Sequence, residues 1–93
     1  MDIDEIINYI SEENPDAIAF RNPGFYDAII GYAFNENDLP VVVYDYNKMI
    51  ESLAAEYDDA EDPIMDAIEW INYNTLRTLP YIPIDVRPII MYH

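Results

Sequence analysis

The chain has 93 residues, with 19 Asp plus Glu against 4 Lys plus Arg for a formal charge of −15, 52% hydrophobic residues and no cysteine. That length is expected to form one domain, 1–93, around a modest core, and the apolar content separates it from acidic disordered chains. The composition excludes disulfide scaffolds, thiolate metal sites and cysteine nucleophiles, and it disfavours direct nucleic-acid contact, because phosphates must be met by cations and only Arg21, Lys48, Arg77 and Arg87 are present.

Anionic membrane surfaces are disfavoured for the same reason, and no apolar run approaches the roughly 20 residues of a spanning helix. The start, Met1-Asp2-Ile3-Asp4-Glu5, is acidic where a signal peptide is basic, so a soluble intracellular protein is expected. Ile3, Ile6, Ile7 and Ile10 form one stripe of a helix over 2–13, with Asp2, Asp4 and Glu5 at its positive end. Asn14-Pro15 closes it.

Ala17-Ile18-Ala19-Phe20 reads as a strand, followed by turn chemistry at Arg21-Asn22-Pro23-Gly24. A second strand is expected over 26–34, with a bulge or close backbone contact at Gly31. After the polar loop 35–40, the β-branched run Val41-Val42-Val43-Tyr44 completes an antiparallel hairpin. Asp45 then caps a helix over 46–57 carrying Met49, Ile50 and Leu53.

Asp62-Pro63 sets a new helix start, and Ile64, Ala67, Ile68, Ile71 and Thr75 give a stripe that runs to about residue 76. The tail carries Pro80, Pro83 and Pro88 and is expected to lie extended over the core, with Ile89-Ile90-Met91-Tyr92 as a last strand. The fold class is therefore α+β: three helices on a small, largely antiparallel sheet of three to four strands near Ala17, Tyr26, Val41 and Ile89.

Chemistry-bearing patterns are sparse. Asp45 and Lys48 could pair as acid and positioning cation at a strand exit, but helix capping accounts for Asp45 with less. The run from Glu56 to Asp62 lacks the central glycine of an EF-type calcium loop and is followed at once by Pro63, so no metal is expected there. His93 is the only histidine and terminal, Ser11 and Ser52 have no second histidine to act as base, and carboxylate pairs assembled from 19 acids carry no information. No enzyme and no cofactor is implied.

Three blocks read together, Asp27-Ala28-Ile29-Ile30-Gly31, then Pro40-Val41-Val42-Val43-Tyr44-Asp45-Tyr46-Asn47-Lys48, then Glu69-Trp70-Ile71-Asn72-Tyr73-Asn74, resemble a family of small uncharacterised bacteriophage proteins. The likeness covers roughly 16–79. It implies a phage or prophage gene product working in the host cytoplasm, and it brings no activity with it. This chain departs from many members in following Asn74 with Thr75-Leu76-Arg77-Thr78 rather than a glycine-containing segment.

A charge of −15 exceeds the magnitude of about 2 to 8 that keeps a small domain soluble, and self-repulsion costs stability, so the excess points to a negative binding surface. Carboxylates on a compact domain can imitate a phosphate field and occupy the basic groove of a host nucleic-acid-binding protein, of the CRISPR-effector or restriction type. The expected partner-binding residues are Glu56, Tyr57, Asp58, Asp59, Glu61, Asp62, Asp66 and Trp70, the acids steering and an aromatic anchoring. The alternative is a phage accessory or assembly protein that self-associates, as a homodimer for example, through its nine tyrosines, with acidity serving solubility.

Overall fold

Each α-helix starts where an aspartate can satisfy a freed amide. In the computed structural model, which describes residues 2–92, Asp2 accepts from the Glu5 N–H at 2.9 Å and opens α1, Ile3–Glu13. Asp45 accepts from the Lys48 N–H at 3.0 Å and opens α2, Tyr46–Ala54. Asp62 accepts from the Met65 N–H at 3.1 Å and, with Pro63 in the first turn, opens α3, Pro63–Asn74. Met1 and His93 lie outside the described residues, and with them the expectation attached to the histidine.

Among the described residues three strands form one sheet: β1, Ile29–Phe34, β2, Pro40–Asp45, and β3, Ile89–Met91, in the order β1-β2-β3. The fold is α+β. The hairpin of β1 and β2 is antiparallel, with Tyr32 opposite Val42 and Phe34 opposite Pro40. The register slips between Ile29 and Gly31, so the irregularity anticipated at the glycine is present, one residue earlier, while a side chain at Gly31 would meet nothing within 4 Å. In the hairpin turn Asp38 takes the left-handed conformation, φ 63°, which a short polar side chain tolerates, and Asn35 accepts from the amides of Asn37 and Leu39.

Several expectations are corrected. Residues 17–20 form no strand: the Ile18 N–H bonds the Val86 carbonyl and the Phe20 N–H bonds the Tyr44 hydroxyl, so this segment is tied down by separate long-range bonds instead of a ladder. The first three residues of the expected strand, Tyr26 to Ala28, belong instead to a 3-10 segment, Pro23–Ala28, capped by the Asn22 side chain, and β1 begins after it. The final strand pairs with β2 in parallel, Val43 opposite Ile89, which makes the sheet mixed. α2 is extended only by a 3-10 turn, Ala55–Tyr57, and α3 stops at Asn74, followed by a 3-10 segment, Leu76–Tyr81, where an extended tail was expected.

Two asparagines fasten the tail. Buried Asn14 donates to the carbonyls of Pro40 and Asp85 at 3.1 and 2.8 Å, and Asn35 donates to those of Ile84 and Asp85 at 3.1 Å. Such bonds between distant segments satisfy carbonyls that no ladder reaches. Every residue of β2 is buried, and Ile6, Ile10, Phe25, Ile29, Val42, Tyr44, Met49, Leu53, Ala67 and Ile71 are part of one core cluster. Among the described residues no helix is long and apolar enough to cross a membrane.

Candidate functional site

The acidic connection between α2 and α3 is built by two local devices: the 3-10 turn Ala55–Tyr57 and the Asp62-Pro63 helix start. Between them the chain exposes Glu56, Asp58, Asp59, Glu61 and Asp62, and Asp66 follows, exposed, in the first turn of α3. Acids at this place suit the positive end of the α3 dipole. Asp62 is occupied as a cap through one oxygen, and the Glu56 carboxylate leans toward Gly24, 4.0 Å from where a Cβ on that glycine would stand.

Of the expected residues the structure brings three together. Tyr57, Asp66 and Trp70 line a shallow groove of about 300 Å³ with Glu69, Tyr73 and Asn74. Asp58, Asp59 and Glu61 do not line it, and they stand on the connection beside it. Glu69, Tyr73 and Asn74 are additions to the residues expected from the sequence. The spacing of 66, 69, 70 and 73 places them on one helix face, and that period was the signal available.

Trp70 is half-buried and held from behind by a run of rings. It meets Phe25 edge to face at 6.0 Å, Phe25 meets Phe20 at 6.1 Å, and Phe20 lies 4.6 Å from Tyr44 on the central strand. Aromatic pairs at these separations add to ordinary burial and fix the ring's position. The other side of Trp70 lines a second cleft, about 290 Å³, with Phe20, Phe25, Arg21 and Thr78. The indole thus separates a groove rimmed by Asp66 and Glu69 from one carrying Arg21.

A further depression, about 750 Å³, was not anticipated; Asp2, Asp4 and Asp27 line it with Lys48, Ile3, Ile6, Ile29 and Ile30. Tyr26 donates to the Asp4 carboxylate there, and that bond, followed by burial and the neighbouring acids, pushes the Tyr26 pKa up. Burial likewise raises Tyr44, against the opposing pull of the bond from the Phe20 amide.

The remaining ionic groups are arranged unevenly. Asp45 is the one buried acid, and the other eighteen of nineteen are exposed. Arg87 is turned inward, its guanidinium donating to the carbonyls of Ile82 and Pro80. No Lys or Arg falls within 56–66. Among the described residues no group of three or more His, Cys, Asp or Glu side chains is placed to hold a metal ion. Comparisons with protein-family models, curated proteins and solved structures return no match to this chain.

Proposed function

We propose that the chain is a phage-encoded, non-enzymatic acidic protein that binds and inhibits a host nucleic-acid-binding defence protein in the host cytoplasm, of anti-CRISPR or anti-restriction type, by imitating the charge of nucleic acid. The observation that carries this reading is the exposed, cation-free connection 56–66 set beside a groove in which Tyr57 and Trp70 are held ready. Exposed carboxylates steer a basic partner into place, and a partly buried indole supplies apolar contact once it arrives. The mode asks for no nucleophile, metal or cofactor.

The test is charge removal that spares the fold. Asp58→Asn, Asp59→Asn, Glu61→Gln and Asp62→Asn together leave a good helix cap at 62, since asparagine caps as well as aspartate. Partner binding is expected to weaken at least tenfold at low salt, with a shallower dependence on salt concentration. Unchanged affinity and an unchanged salt slope would overturn the assignment of this surface. The second reading, self-association as an accessory or assembly protein, draws on the exposure of Tyr73, Tyr81 and Tyr92. Sedimentation at low and high salt separates the two, because a dimer that persists in high salt and retains no host protein is incompatible with mimicry.

A further inference from the structure

The sheet has an unusual edge. β1 is at its border, hydrogen-bonded to β2 alone, and its six residues, Ile-Ile-Gly-Tyr-Ala-Phe, hold no charge and no proline although a quarter of the chain is charged. Edge strands are normally blunted by lysine, proline or a bulge, since their unpaired amides and carbonyls accept another strand. Here the bulge lies at the Ile29 end, and the Tyr32-Phe34 end is regular.

Which backbone groups are free follows from the ladder. The Asn35 N–H bonds the Leu39 carbonyl at 3.0 Å, so alternation points the backbone of Ala33 toward β2 and that of Tyr32 and Phe34 outward. Pro40, opposite Phe34, occupies a position where its missing donor costs the hairpin nothing. The side chains beside this edge are apolar and exposed: Phe34 at 52% and Tyr32 at 36%, their rings edge to face at 5.9 Å. Tyr9 of α1 stacks on Tyr32 at 4.6 Å and stiffens the platform.

We infer that β1 is a strand-addition site for an extended segment of a partner protein, with alternating apolar residues between Lys or Arg at both ends. The inference rests on the proposed function only for the partner's basic charge. Both ends of β1 are acidic: Asp27 precedes it, with Asp2 and Asp4 outweighing Lys48 nearby, and Glu36 and Asp38 follow it. A second copy of the chain is the wrong occupant, because antiparallel self-pairing sets the Asp27 end of one copy against the Glu36 and Asp38 end of the other. A segment with basic ends about six residues apart, roughly 20 Å, matches both.

The test is amide exchange by NMR on the whole chain with three synthetic peptides. The first alternates Val and Thr between lysine pairs, the second carries glutamate pairs, and the third is the lysine peptide N-methylated at alternate residues. The lysine peptide is expected to slow exchange of the Tyr32 and Phe34 amides at least tenfold and to leave Ala33 unchanged, while the other two bind at least tenfold more weakly. Phe34→Lys, at an exposed position, is expected to keep the fold and reduce lysine-peptide binding at least tenfold. The proposal is overturned if the lysine peptide fails to bind, if it binds without slowing those two amides, or if the free chain already protects them as a dimer. None of these outcomes involves residues 56–66, so the strand site and the acidic surface fail separately.

Discussion

The connection 56–66 and strand β1 are both exposed, yet they differ in almost every physical respect. The connection holds six acids, has no cation and is shaped by short-range capping; β1 holds no charge and is fixed by its ladder with β2. Under the proposed function the first surface draws a partner from a distance through charge, and under the strand-addition proposal the second engages one on contact through amides and rings.

The largest expected effect removes the support shared by both regions. Ile71 of α3 is fully buried in the core cluster that also holds Ile29 of β1, and Ile71→Ala should destabilise by about 2–5 kcal/mol, measured by urea unfolding. Loss of the core would abolish the comparison by disordering both surfaces. Trp70→Ala is expected next: about 2 kcal/mol of partner affinity by calorimetry, with strand-peptide binding at β1 unchanged. If the peptide were lost as well, the two surfaces would not be separate.

Tyr44 links the sheet to the aromatic run behind Trp70, and it makes the fold sensitive to alkali. Burial holds its folded pKa above the ordinary value of 10, so its contribution to stability is fully present below pH 10 and is lost as pH rises through the higher folded value. Unfolding midpoints should therefore fall more steeply above about pH 10 in the native chain than in Tyr44→Phe. The same variant leaves the Phe20 amide without its partner, which should cost about 1–2 kcal/mol at neutral pH.

The smallest expected effect is that of salt on stability. Screening a charge of −15 should raise the melting temperature by a few degrees between low and physiological ionic strength. The quadruple Asn and Gln variant should show less of this rise, since it removes part of the repulsion. Differential scanning calorimetry in two salt concentrations measures both.

Much of this architecture could be read from local pattern. Asp2, Asp45 and Asp62 each cap the helix assigned to them, the Ile6 and Ile10 stripe faces the core, and Val41 to Tyr44 form the central strand. Capping and periodicity are short-range, so one segment contains the whole signal. Where partners are distant, the reading failed. Ala17 to Phe20 has a strand-like composition, but its bonds go to Val86 and the Tyr44 hydroxyl, which composition cannot reveal.

Ile64 shows the same limit from the other direction. It fits the α3 stripe by spacing, yet in the first turn of the helix it is 58% exposed, whereas Ala67 and Ile71 further along are buried. The candidate site was half legible. Asp66 and Trp70 share a helix face as their spacing allows, Tyr57 joins them from the 3-10 turn before the connection, and Asp58, Asp59 and Glu61 stay on a loop whose path has no period to read.

The central claim is that residues 56–66 hold a basic partner in place of nucleic acid. The most direct measurement compares capture of host proteins at low salt by the native chain and by the variant carrying Asp58→Asn, Asp59→Asn, Glu61→Gln and Asp62→Asn, each challenged with duplex DNA. DNA is expected to release what the native chain captures, and the variant to capture at least tenfold less. Equal capture by both chains, or capture that DNA does not reverse, would contradict it.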